Sequence, residues 1–297
     1  MELQKGDTIG IIALAGDCNK ESVDNAVLML QNLGYKIKLS KNIYKRYKYL
    51  AGLDEDKLAE LHKFFEDPEI KLIMNFRGGY GAIRLINKID YELIKLNYKP
   101  FVGYSDITAL LLMIYKKTGK ITYHGPMGIN YANTSFSCGG GCPKDGRGLF
   151  ESFSHNSLTD ALSGKKMILE GKKIYKQGDA KGIIWGGNLA TVVSLCGLDF
   201  IPDEDFIFFA EEINEPVYKI DRMFTQLFNI EKFRGKCKGV VLGDFLEVDN
   251  QEWLEEFFGT LPVPAVGGFK ITHKEEMVTI PIGRYSELCG TTLVLGS

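Results

Sequence analysis

Pro100-Phe-Val-Gly-Tyr-Ser-Asp-Ile-Thr-Ala-Leu-Leu-Leu-Met-Ile-Tyr115 passes from strand to helix around one serine. Phe101, Val102 and Gly103 read as the end of a buried strand, and Ile107, Leu110, Leu111 and Ile114 recur at helical spacing. Ser105 falls on the turn between them. A tight strand-to-helix turn lifts a hydroxyl out of the packed layer, and the amides of the first helical turn point unpaired at whatever bonds to that oxygen. The G-x-S-x-G elbow is not matched, because Asp106-Ile107 stands where its last glycine belongs. Taken alone, the turn serves two roles equally well: presenting a nucleophile, or capping the following helix with Ser105 or Asp106.

The segments before this turn alternate in the same way. Residues 8–14, 36–39 and 72–75 read as strands, and residues 20–33, 53–65 and 81–89 as helices. Short connections between alternating strands and helices imply an α/β fold with a doubly wound, mainly parallel sheet. Ligands of such sheets gather at the carboxyl ends of strands, where both Ser105 and the loop Arg77-Gly-Gly-Tyr-Gly81 lie. That loop completes neither G-x-x-x-x-G-K-[ST] nor G-x-G-x-x-G, which disfavours nucleotide binding. It suits delivery of a bare backbone amide, from Gly78 or Gly79, to a reacting carbonyl, and it also suits an ordinary tight turn.

After Gly125-Pro-Met127 the composition turns to Asn, Ser, Gly and Lys. This divides the chain into an N-terminal domain (1–128), a crossover with a glycine-rich loop (129–180) and a smaller C-terminal α/β domain (181–297). In the last of these, residues 182–189, 206–210, 239–243 and 265–268 read as strands, and residues 219–228 and 253–258 as helices. Glu211 and Glu212 follow one strand directly, and His273 comes shortly after another. A serine nucleophile needs a base, for which histidine has the suitable ordinary pKa. His62 reads as a surface residue and His155 belongs to the polar crossover; local pattern does not choose between His124 and His273.

The formal net charge of -2 gives no basic field for nucleic acid, and no apolar run is long enough to span a membrane. Residues 1–7 lack the basic start and apolar core of a signal peptide, so the expected location is the cytoplasm. Six scattered cysteines suggest reduced thiols; Cys138-Gly-Gly-Gly-Cys142 reads as a glycine loop rather than a zinc site.

Taken in order, Gly6-Asp-Thr-Ile9, Arg77-Gly-Gly-Tyr-Gly81, Gly103-Tyr-Ser-Asp106, Gly125-Pro126, Trp185-Gly-Gly-Asn-Leu189, Glu211-Glu-Ile-Asn-Glu215 with Asp221-Arg222, Gly243-Asp-Phe245 and Thr272-His273 resemble the L,D-carboxypeptidase family of serine peptidases. The resemblance implies a catalytic triad of Ser105, Glu211 and His273, with Glu212 and Glu215 as neighbours of the acidic member. It implies a site in the cleft between two domains, an oxyanion hole from the backbone of Gly79 and Asp106, and no metal or other cofactor. The implied substrate is a murein tetrapeptide that loses its terminal D-alanine during cytoplasmic cell-wall recycling, and the implied assembly is a homodimer. Arg77, Arg84 or Arg222 would meet the substrate carboxylate, with Tyr80 and Trp185 as further substrate-binding candidates. A branch of the family that hydrolyses peptide-nucleotide antibiotics and confers self-immunity is the alternative. A two-domain binding protein without catalysis is the alternative from another class.

Overall fold

A computed structural model describes residues 2–132 and 153–296. Its first half runs β1 (Thr8–Ile12), α1 (Lys20–Asn32), β2 (Lys36–Leu39), α2 (Asp54–Glu66), β3 (Ile70–Asn75), α3 (Tyr91–Leu96), β4 (Phe101–Gly103), α4 (Thr108–Thr118), β5 (Thr122–His124) and α5 (Gly128–Ala132). The five strands pair in parallel in the order β5-β4-β3-β1-β2, as alternation with helices requires. The order leaves β4, which leads to Ser105, flanked by β3 and β5 inside the sheet.

The second half runs α6 (Phe153–Ser163), β6 (Met167–Glu170), β7 (Lys173–Lys176), β8 (Ala180–Asn188), α7 (Leu189–Ser194), β9 (Phe206–Ile213), α8 (Val217–Asn229), α9 (Glu231–Lys236), β10 (Cys237–Leu246), α10 (Gln251–Thr260), β11 (Ala265–Gly267), β12 (Ile280–Ile282), β13 (Tyr285–Cys289) and β14 (Thr292–Leu295). An eight-stranded sheet follows, in the order β6-β14-β13-β8-β9-β10-β11-β7, parallel from β8 to β11 and antiparallel outside them. β12 leaves this sheet. It pairs antiparallel with β5, Ile280 opposite His124, and becomes the sixth strand of the first sheet.

β6 and β7, from the stretch read as a crossover, form the two edges of the second sheet. His155 is buried in α6 rather than lying in a polar connection: its ring nitrogens meet the hydroxyls of Tyr35 and Tyr131 at 3.2 Å each. The Cys138 to Cys142 loop lies outside the described residues, and the thiols of Cys18, Cys196, Cys237 and Cys289 are free.

α4 joins the two halves. Leu110, Leu111 and Leu112 are all fully enclosed, the pattern of a helix buried on every side. β8 reaches it through Gly187, where a Cβ would stand 2.5 Å from Cγ2 of Thr108, and the Asn188 amide donates to Oγ1 of Thr108 at 3.2 Å. Each leucine so enclosed contributes about 1.5–3 kcal/mol. That outweighs the Lys116–Asp203 ion pair between the halves, whose carboxylate is exposed.

Residues 81–89 do not form the expected helix. Ala82–Arg84 makes one 3₁₀ turn, because the Ala82 amide donates to Oδ2 of Asp106 (2.8 Å). A separate helix, α3, starts where the Asp90 side chain accepts from the Leu93 amide (2.9 Å).

Candidate active site

Ser105 has φ of 59°, a left-handed conformation that costs a non-glycine residue on the order of 1–3 kcal/mol and collects at functional sites. The turn is tight enough that a Cβ on Gly103 would stand 2.6 Å from Cγ2 of Ile107. Tyr104, Asp106 and Ile107 are buried while Ser105 is partly exposed. The Arg77–Gly81 loop lies directly on the serine: a Cβ on Gly78 would be 2.9 Å from Cβ and 3.0 Å from Oγ of Ser105. The Gly16 amide holds the Gly78 carbonyl from behind at 3.2 Å. Gly79, at φ of 117°, packs so close to Gly16 that a Cβ would meet its nitrogen at 3.3 Å. Peptide groups therefore approach the hydroxyl where side chains cannot. Arg77 and Tyr80 stand exposed on the same loop, and the Tyr80 ring tilts against Tyr49 at 5.9 Å.

The two consecutive glutamates of β9 point to opposite sides, as the strand period demands. Glu212 accepts from Asn188 Nδ2 (2.9 Å), the Ala190 amide (2.7 Å) and the Ile213 amide (2.9 Å), tying β9 to the start of α7. Burial is the largest influence on its carboxyl and raises its pKa. Glu211, wholly enclosed, faces His273 instead: Oε2 lies 2.9 Å from Nε2, off the line of an ideal hydrogen bond. Glu215 pairs with Lys219 at 2.9 Å.

His273 is held on both flanks by Asp244, which accepts from Oγ1 of Thr272 (2.8 Å) and pairs with the Lys274 ammonium (2.9 Å). Gly243 permits this, since a Cβ there would strike the Ile271 carbonyl at 2.1 Å. The ring stands edge-on to Tyr104, the residue before Ser105, with centroids 5.0 Å apart. Burial alone would lower the pKa of His273; contact with Glu211, and the charges of Glu211 and Glu212, outweigh it and raise the pKa. His124, the competing base, is fully enclosed between Tyr104 and Phe209, and burial above all pushes it down to about 3.

The structure thus assembles the strained serine, a glycine loop lying on it, and a carboxylate-paired imidazole against the neighbouring tyrosine. Trp185 is a correction: enclosed among Phe200, Phe206, Phe208 and Phe233, it has no surface for a substrate. Arg84 is committed to Asp54 through three contacts of 2.9 to 3.1 Å. Arg222 is exposed on α8 with its guanidinium over the Tyr218 ring. Sequence reading missed the Asp244 clamp and the Asp106 side chain as a brace of the loop; both lie inside quoted motifs, Gly243-Asp-Phe245 and Gly103-Tyr-Ser-Asp106, which carried the signal. Among the described residues no cluster of His, Cys, Asp or Glu has a metal-holding arrangement.

Residues 9–125 match the LD-carboxypeptidase N-terminal domain and residues 181–288 the LD-carboxypeptidase C-terminal domain. A probable murein peptide carboxypeptidase of Bacillus subtilis (strain 168) is 35% identical, covering 95% of this chain and 88% of its own. The microcin C7 self-immunity protein of Escherichia coli is 30% identical, covering 95% of this chain and 90% of its own. The crystal structure of a muramoyltetrapeptide carboxypeptidase from Oxalobacter formigenes is similar with a TM-score of 0.83 at 26% identity, over 98% of this chain and 99% of that one.

Proposed function

Because the chain belongs to the LD-carboxypeptidase family of peptidases, we propose that it is a serine carboxypeptidase that releases terminal D-alanine from murein tetrapeptides by cutting their L,D-peptide bond, in the cytoplasmic recycling of cell-wall fragments. The observation that carries this reading is the Glu211-paired His273 set against Tyr104, next to a serine in strained left-handed conformation. In this reading the free ring nitrogen of His273 takes the proton of Ser105 as Oγ attacks the scissile carbonyl. Glu211 orients the ring and stabilises the imidazolium. Amides of Gly79 and Asp106 receive the oxyanion, and the imidazolium returns its proton to the departing amine of D-alanine. Water, activated by the same base, then hydrolyses the acyl-serine ester. Arg77, exposed beside the nucleophile, reads the terminal carboxylate.

The microcin immunity relative supports a second reading, cleavage of peptide-nucleotide antibiotics by the same residues. The identity of 35% to the murein peptide relative against 30% to the immunity protein favours the first. Mass spectrometry of a murein tetrapeptide incubated with the protein and with Ser105→Ala tests it. Loss of one D-alanine with wild type alone is expected; no loss with either, alongside cleavage of an aminoacyl-nucleotide, transfers the assignment to the second reading.

A further inference from the structure

The inward face of α2 begins with three charges, Asp54, Lys57 and Glu60, before turning apolar at Leu61, Phe64 and Phe65; Glu60 faces away from the loop, accepting from the Lys41 amide at 2.8 Å. The Lys57 side chain has 0% exposure. Its ammonium is 3.2 Å from Oδ1 of Asp54, but not aligned as a hydrogen bond. Above it lies Gly81, the last residue of the loop that rests on Ser105: a Cβ there would stand 3.4 Å from Lys57 Nζ. Gly81 adopts φ of 132°, and residues on its far side are tied down twice. The Ala82 amide donates to Asp106, and Arg84 grips Asp54 with its guanidinium.

Asp54 does not need Lys57 for neutralisation, because Arg84 and Lys88 (3.5 Å) already serve it. Burying an ammonium costs several kcal/mol that a methionine of similar length would not incur. A cation kept at that cost under the loop calls for a role in the loop.

We propose that Lys57 is a positioning residue: from beneath Gly81 its buried ammonium, acting with Asp54 and Asp106, fixes the 77–81 loop against Ser105. The charge geometry is consistent. Asp106 is pushed up to about 6 by burial first, while the Ala82 amide, the Lys57 charge and the Gly81 amide oppose that rise and favour the ionised carboxylate that holds Ala82. Without Lys57, the carboxylate bracing the loop loses its nearby cation, and the peptide groups over the nucleophile lose their fixed distance from it. The kinetic part of this inference rests on the serine-peptidase reading, but the placement of the loop does not.

Hydrogen exchange followed by mass spectrometry on wild type and Lys57→Met tests the placement without any substrate. The amides of Gly81 and Ala82, which the Asp106 carboxylate holds, should exchange at least ~10-fold faster in the variant, with the β3 and β4 amides unchanged and Tm not lowered. On a substrate that wild type turns over, kcat should fall roughly 10- to 100-fold with KM nearly constant, a split that a merely structural lysine would not produce. Wild-type exchange rates at Gly81 and Ala82 in a folded Lys57→Met protein overturn the proposal, whatever the substrate proves to be. Should Lys57→Met not fold, Asp106→Asn keeps an acceptor for Ala82 without the charge. It should loosen the same amides, and unaltered protection there is equally fatal to the idea.

Discussion

The imidazole of His273 lies 2.9 Å from the carboxylate of Glu211, a side chain wholly withdrawn from solvent. Burial favours the neutral ring, and the carboxylate favours the charged one more strongly, so the pKa of His273 stands above its ordinary 6.5. NMR titration of His273 should show this, and Glu211→Gln should bring the value down. On the proposed mechanism the neutral ring is the base, so kcat/KM should fall on the acid side of the raised pKa. The same shift contributes folding stability that is fully present below the unfolded pKa and lost as pH rises through the folded one.

Ser105→Ala, Glu211→Ala and His273→Ala should each lower kcat by ~10³-fold or more. His124→Gln, close to histidine in volume at a site closed by Tyr104 and Phe209, should retain most turnover. An active His273→Ala beside an inactive, folded His124→Gln would reverse the assignment of the base.

Gly78→Ala should reduce kcat by roughly 10²-fold, because its methyl group would stand 3.0 Å from Oγ of Ser105, in space that attack on a carbonyl requires. Calorimetry should find Tm lowered as well, because the same methyl would stand 2.9 Å from Cβ of Ser105 and the turn must shift to admit it. Unimpaired kcat in a variant whose crystal structure keeps the loop in place would show that the substrate does not enter there.

Glu212→Ala should act on stability instead. It leaves Asn188 Nδ2 and the Ala190 and Ile213 amides without their acceptor, at a cost on the order of 2–3 kcal/mol. Thermal denaturation should report a Tm lower by several degrees, with kcat per folded molecule far less reduced than in Glu211→Ala. A larger kcat loss than that of Glu211→Ala would exchange the roles of the two glutamates.

Much of the first sheet was legible because its cues are local. Alternating apolar strands and amphipathic helices place β1 to β4, and the expected strand at 36–39 coincides with β2. The turn at Ser105 was legible for the same reason. What escaped depends on partners distant in sequence. β12, β13 and β14 are short strands whose pairing comes from β5, β8 and β6. The helix expected over 81–89 was lost to a carboxylate at position 106. Trp185 beside two glycines suggests a platform, and only the aromatic side chains folded around it show that it is core. Lys57 shares the helical face of Leu61 and Phe64 by spacing, but its charge reads as solvated until the loop folded over it is seen. Glu211 and Glu212 were ambiguous as a pair, and the strand's alternation separates them once His273 and Asn188 are in place.

The pairing of β12 with β5 has a bearing on biosynthesis. The ribosome delivers β12 long after β5, so the exposed edge of a sheet whose other strands are ready must wait for its cover. At ~5–20 residues per second that wait lasts on the order of 10 s. An open edge strand is a template for pairing with another chain, so a nascent polypeptide stalled before residue 280 would be prone to aggregation. The segment that covers that edge also carries His273 towards the first half, so closing the edge and bringing His273 beside Tyr104 are one event.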